Sequence, residues 1–404
     1  MTLKVIIAGA GVGGLCLAQG LRKQGIEVTV YERDSSTESR NQGYRLRIDE
    51  YGRSALAECL PSELYQLCHA TANALYMPRG IHFDHQLNEL GQARSAAQLD
   101  PERAATVVNR RTLREILLAG LGDAVVFGKA VTGYTEHDDR VTVRFADGTE
   151  ATADVLVAAD GINSVVRGQL LPHTEILDTG LRSIYGHLRL TDEVREWLPE
   201  GLLGGSRPVL GPRRTTMALG TFAPVRSVQE AAAELAPYAR LHSVAPYIKW
   251  TLVAPQETHP LTEEEMFAAS PQRLHQIAQE LVADWHPVLR RLVDEADSSA
   301  TFPLSIRATL PVGDWQAGRV TVIGDAIHAT TPVGGTGANT ALRDAALLAS
   351  RIGRVEGQRG PLLDAIASFE CDMREYGYQA VRNSLSGAAK IFQTAELFQK
   401  GKQS

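Results

Sequence analysis

Three glycines, Gly9, Gly11 and Gly14, stand in the stretch VIIAGAGVGGLCLAQGL, and an acid, Glu32, follows in the stretch IEVTVYE. Their types and spacing suit the binding of a dinucleotide. Gly9 permits a tight turn after a strand, Gly11 lets a pyrophosphate approach the backbone, and Gly14 lets the following helix pack close to the strand. Val12 and Gly13 complete the turn, where the unpaired N–H groups and partial positive charge of a helix start favour phosphate. Glu32 ends the next strand, where a carboxylate can accept hydrogen bonds from a ribose diol. An acid there disfavours a 2′-phosphate, which leaves FAD or NAD.

Two further stretches carry polar groups at places where ligands bind. In DGINSVVR, Asp160, Gly161, Ser164 and Arg167 read as a helix start, with Asp160 capping and Ser164 in the first turn. In GDAIHATTPVGGTGAN, Gly324 and Asp325 end a strand, so Asp325 can meet a ligand beyond the carboxyl edge of a parallel sheet. Pro332, Gly334, Gly335 and Gly337 then lead to a helix expected to begin near Asn339. The start of such a helix can stabilise negative charge on a ligand ring.

The elements that must hold these residues follow from periodicity. Residues 3–8 are a β-branched apolar run that reads as a buried strand, 26–32 is a second strand, and 13–24 between them has helical spacing with Gly25 at its end, which makes a βαβ unit. The segment 107–121 reads as a strand end and a helix, 140–150 as a strand leading into an Asp-Gly turn, and 153–161 as a buried strand. Strands are expected at 183–191, 215–224 and 247–255, and a helix at 271–282 with Ser270 as its cap and Pro271 as its first residue. The fold class is therefore α/β: a Rossmann-like dinucleotide-binding domain (1–75, 101–170, 301–360), an inserted, mostly antiparallel β-sheet substrate domain (76–100, 171–300) and C-terminal helices (361–404).

Bulk properties narrow the partners. The net charge of −6 carries no long like-charge run, which gives no reason to expect nucleic acid or an anionic membrane. The opening apolar run is broken by five glycines and is followed by Arg22 and Lys23, unlike a signal peptide. No stretch reaches the length of a membrane span, and a cytoplasmic protein is expected. Cys16, Cys59, Cys68 and Cys371 lack the spacing of a metal site or disulfide framework and read as free thiols.

Taken together, the three motifs resemble those of the class A flavoprotein aromatic monooxygenases, the para-hydroxybenzoate-hydroxylase-like enzymes. In size and in segments such as NRRTLREILL the chain is similar to compact members related to the tetracycline-inactivating monooxygenases. The resemblance implies FAD as the bound cofactor, held by Gly9, Gly11, Val12, Gly13, Gly14, Glu32 and Arg33. It implies that Asp160 to Arg167 lie near FAD and the nicotinamide, and that Asp325 contacts the ribitol within a motif that includes Gly324, Ala326, His328 and Pro332. Gly335, Gly337, Ala338 and Asn339 would lie against the flavin ring. Arg110 matches an arginine that contacts FAD, with Arg114 one turn on, and Arg40, ahead of Gly43, matches a basic residue near the flavin. Thr336 stands where many members have glutamine.

The implied activity is hydroxylation or epoxidation of an aromatic or polyketide-like small molecule. It would consume O2 and NADPH or NADH, bound transiently, and proceed through a flavin C4a-hydroperoxide. Two other readings compete: a non-redox, flavin-scaffolded cyclase or binding protein, and a flavin halogenase, which the wide separation of Trp197, Trp250, Trp285 and Trp315 disfavours. No catalytic acid or base is assigned. Tyr185, His187, Arg213 and Trp250, on the expected substrate sheet, read as packing or surface residues, and His328 as part of its motif.

Overall fold

The computed structural model describes residues 3–37, 39, 44–73, 80–93, 105–355 and 362–392. Arg40 and Gly43 lie outside them. The first layer is a five-stranded parallel sheet in the order Val320–Val322, Val155–Ala158, Lys4–Ala8, Glu27–Glu32, Val125–Phe127. Its central strands are apolar on both faces because both are covered, by helices and by a three-stranded antiparallel sheet (Val131–Glu136, Val141–Phe145, Glu150–Ala153) whose Val141, Val143 and Phe145 share its core. Val155 to Ala158 are all buried, as are Val5 to Ala8. Helices Val12–Lys23 and Gly337–Gly353 pack side by side on this sheet. Gly25, just past the first of these helices, has φ +79°, as a glycine closing a helix does.

The second layer is a seven-stranded sheet in the order Phe302–Thr309, Ile176–Arg189, Tyr247–Pro255, Thr216–Phe222, Arg207–Leu210, Gly80–Asp84, Glu89–Ala93. It is antiparallel except where Arg207–Leu210 pairs parallel with Gly80–Asp84. The strand expected at 183–191 begins earlier, at Ile176, and a bulge between Asp178 and Leu181 bends it. The expected boundary at 300 is also shifted. Phe302–Thr309 pairs along Ile176–Arg189, so this sheet takes a strand from beyond the inserted segment. The alternation along Tyr247–Pro255 explains the placement of its side chains. Ile248, Trp250 and Leu252 enter a core with Leu274 and Ile277 of helix Pro271–Leu281, whereas Tyr247, Lys249 and Thr251 face the other way. Ser270 caps that helix by accepting from the Arg273 N–H.

The last helix, Leu362–Phe392, joins the two layers. Its first half packs Ile366, Phe369 and Met373 into the parallel-sheet core, and its second half packs Val381, Leu385 and Phe392 against Leu177, Ile306 and Ala308 of the antiparallel sheet. Residues 393–400, also expected to be helical, lie outside the described residues. Among the described residues, no helix is long and apolar enough to cross a membrane.

Candidate active site

The three motifs meet at the carboxyl edge of the parallel sheet. Gly9 has φ +106°, and a Cβ there would fall 2.5 Å from the Ala159 carbonyl oxygen, next to Asp160. The first motif therefore presses on the second through a turn only glycine accepts. A Cβ on Gly14 would lie 2.2 Å from the Gly9 carbonyl oxygen, which fixes how closely the first helix approaches its strand. Ala341 lies between the first and third motifs, and its Cβ would be 3.1 Å from a Cβ on Gly13 and 3.0 Å from one on Gly324. The Arg167 guanidinium donates to the carbonyls of Ile162 and Ala326, at 2.7 and 3.0 Å, and so joins the second motif to the third.

Around this junction several groups are poised toward a ligand. A Cβ on Gly11 would meet nothing closer than 4.0 Å, so open space lies in front of the helix start that Gly11 caps. The Glu32 carboxylate is fixed by the N–H groups of Ala10 (2.8 Å) and Asp34 (2.9 Å). Arg114 donates to the Ala10 carbonyl at 2.9 Å and lies 3.9 Å from Glu32, which holds the glycine turn and the acid in register. Arg33 is exposed. Asp160 accepts from the Val165 N–H with one oxygen, while its other oxygen is buried without a hydrogen-bond partner among the described residues. Burial pushes its carboxyl above the usual range. The cap of helix Val165–Leu170 is Ser164, which accepts from the Arg167 N–H, rather than Asp160 as expected, because Ser164 directly precedes the first turn.

Asp325 occupies the floor of the cleft. Its side chain is accessible, yet protein surrounds it so closely that desolvation raises its carboxyl, with His328 and Arg110 opposing and Asp344 adding. Behind it lies a buried network. The Asp344 carboxylate accepts from the Gly324 N–H (2.7 Å) and the Tyr376 hydroxyl (2.7 Å) and pairs with His328 Nε2 (2.7 Å). Burial alone would lower His328, but Asp344 more than reverses this and raises it. His328 is fully buried, so it steadies the Asp325 turn and does not reach the cleft. The following helix begins at Gly337 rather than near Asn339. Pro332 and Gly335 are exposed ahead of it, and Gly337 and Ala338 form its first turn. The Asn339 side chain is spent within the protein: it donates to the carbonyls of Arg47 and Gly335 and accepts from the Asp49 N–H. What Asn339 can offer a ligand is backbone.

Beside the cleft, a cavity of about 380 Å³ opens between Thr106–Asn109 and the antiparallel sheet. Tyr185 stacks on Phe302 (5.2 Å between ring centroids) and meets Tyr44 (5.2 Å). Tyr44 in turn lies under Arg110 and within electrostatic reach of Asp325, so it stands between the cavity and the cleft. Of the four residues read from sequence on this sheet, Tyr185 and His187 line the cavity. Trp250 is core on the opposite face, and Arg213 is an exposed turn residue at φ +53°. Sequence reasoning missed Lys249 and Tyr247. The alternation of Tyr247, Lys249 and Thr251 with apolar neighbours was the signal that could have found them.

A FAD molecule fits these features. The helix start at Gly11 suits a pyrophosphate, Glu32 a ribose, and the accessible Asp325 and half-satisfied Asp160 a polyhydroxyl chain along the sheet edge. Comparison with known proteins gives the same picture. Residues 2–384 match the protein family described as FAD binding domain. The "Dual O-methyltransferase/FAD-dependent monooxygenase CTB3" of Cercospora beticola is 34% identical over 96% of this chain and 46% of its own length. The chain thus spans about half the length of the first curated relatives it matches. The "FAD-dependent monooxygenase thnD" of Trichoderma harzianum is 30% identical over 95% of this chain and 92% of its own. A solved structure from Photorhabdus luminescens, described as a candidate FAD-containing monooxygenase, superposes with a TM-score of 0.81 at 33% identity, covering 97% of this chain and 100% of the other.

Proposed function

Because the chain belongs to the FAD binding domain family, we propose that it is an FAD-dependent monooxygenase acting on an aromatic or polyketide-like small molecule. The observation that carries this reading is the adjacency of two unlike sites. An edge suited to a dinucleotide borders an aromatic-lined cavity, with Tyr44 and Arg110 between them. FAD, reduced by NADPH or NADH, would supply an oxygen atom drawn from O2. No second glycine fingerprint serves the nicotinamide, which fits a transient visit. In this reading the chain serves a tailoring step of secondary metabolism, in the cytoplasm where NADPH and NADH are at hand.

In this reading, Gly9, Gly11, Val12, Gly13 and Gly14 hold the pyrophosphate, and Glu32, fixed by Ala10 and Asp34, accepts from the adenosine ribose. Asp160 and Asp325 accept from the ribitol, and the N–H groups from Gly335 to Asn339 bear on the flavin ring, where a helix start favours negative charge. Arg110 and Tyr44 face the ring side of the cavity. The cavity's aromatic walls orient a planar substrate and exclude water.

Purified protein reconstituted with FAD is expected to be yellow and to oxidise NADPH or NADH faster when a phenolic or polyketide substrate is added. Protein that cannot be loaded with FAD would sink the reading. The Gly11→Val variant separates cofactor binding from folding. Its side chain enters open space, so its thermal unfolding matches wild type. It blocks the backbone approach of a pyrophosphate, and the FAD dissociation constant should rise roughly 100-fold or more, as a loss of about 3 kcal/mol requires. A flavin-fluorescence titration with unchanged affinity would contradict the phosphate placement.

A further inference from the structure

Among the described residues, no carboxylate pairs with Lys249, a cation in the cavity wall. Lys249 Nζ lies deep in the protein but lines the cavity, and among the described residues its polar contacts are the Tyr185 hydroxyl (3.4 Å) and Thr251 Oγ1 (3.2 Å). It also sits 4.9 Å over the Tyr185 ring. Its cross-strand neighbours are His187 and Gly220. The Arg45 side chain fills the space above Gly220, where a Cβ would lie 2.1 Å from Nη1, so a second cation stands beside Lys249.

We propose that Lys249 is the base that takes the hydroxyl proton from a phenolic or enolic substrate in this cavity. The substrate class rests on the monooxygenase reading. In the step, the substrate O–H bond breaks, its electron pair stays on oxygen, and the proton joins the lone pair of Nζ. The product is an ammonium–oxyanion pair beside Arg45. The oxyanion feeds electron density into the ring, which transfer of an electrophilic oxygen atom to carbon needs. No redox partner enters this step, and the proton returns to solvent after product departs.

The surroundings support a neutral amine that can accept a proton. Burial, reinforced by Arg45, lowers Lys249 to about 7. Arg111 and Arg189 line the same cavity, and Asp297 is the one acid among the described lining residues. Tyr44, Tyr185 and Tyr247 are all raised by burial and stay protonated. His187, also lowered by burial, is a weaker candidate. It lies two residues beyond Tyr185 along its strand and packs edge-on against Tyr247, whereas Lys249 leans back toward Tyr185 and the cleft.

The test uses the full chain loaded with FAD and 3-nitrophenol, a probe largely protonated in neutral solution whose phenolate has a distinct absorbance. Wild type is expected to bind it as the phenolate just above neutral pH, with an apparent probe pKa lowered by about one unit or more, a tenfold shift. Little proton should be released to a weakly buffered indicator, because Lys249 keeps it. Lys249→Met should lose the phenolate signal while retaining FAD. Lys249→Arg, a fixed cation, should still bind phenolate but release close to one proton per probe. Binding of the probe as neutral phenol, failure to bind it, a phenolate signal surviving in Lys249→Met, or no proton release by Lys249→Arg would each overturn the assignment. FAD content is measured separately, so a protein that ionises the probe but carries no flavin would refute the monooxygenase reading instead.

Discussion

Asp325→Ala is expected to weaken FAD binding by roughly 10- to 100-fold while leaving the fold intact. The magnitude corresponds to loss of one charged hydrogen bond, about 1.5–3 kcal/mol. The fold should survive because the carboxylate faces the cleft, and no hydrogen bond or ion pair within the described residues engages it. Its accessibility amid dense surroundings is the state of a group awaiting a ligand hydroxyl. Desolvation already raises its carboxyl, so removing the charge relieves a cost in the free protein. Thermal melting of the apoprotein should therefore match or slightly exceed wild type, while the flavin titration shifts. Equal FAD affinities for variant and wild type would remove Asp325 from the cofactor site.

Asp344→Ala should have the opposite signature, a large loss of stability of about 3 kcal/mol or more, with cofactor affinity lost as a consequence. The substitution strands three partners at once: the buried Gly324 N–H and His328 Nε2, and the half-buried Tyr376 hydroxyl. The milder Asp344→Asn reveals the electrostatic part. Because the folded protein raises His328 above its ordinary value of about 6.5, the pair's contribution is complete below that pH and is lost as pH rises through the folded value. Wild-type melting temperature should fall over that interval, and Asp344→Asn should flatten the fall. A parallel decline in both proteins would assign the pH dependence elsewhere.

The parts of the site that were legible in sequence are those whose chemistry is local. The turn Gly9 to Gly14 and the acid at Glu32 lie on one βαβ unit, so their joint meaning is contained in a short stretch. Gly324-Asp325 reads the same way at a strand end. The support behind them was not legible. Asp344 and Tyr376 are distant along helices, and only packing brings both carboxylate oxygens to the Gly324 turn and the Tyr376 hydroxyl. Nor could Ala341 be recognised as the wedge between Gly13 and Gly324, since alanine carries no chemical signature. The sheet boundary was missed because Phe302–Thr309 pairs with Ile176–Arg189 over a long sequence separation. In the cavity, the odd-numbered polar face of Tyr247, Lys249 and Thr251 was readable in principle. That Arg45 comes from a separate two-stranded sheet to stand beside it was not.

The most direct test of the central claim is oxygen transfer from isotopically heavy dioxygen. The FAD-loaded protein would be supplied with NADPH and with the phenolic or polyketide compound that best stimulates its oxidation. Mass spectrometry should then find a product heavier by one oxygen atom that derives from the labelled gas. NADPH consumption fully accounted for by hydrogen peroxide, or a product oxygen derived from water, would contradict the assignment of this chain as a monooxygenase.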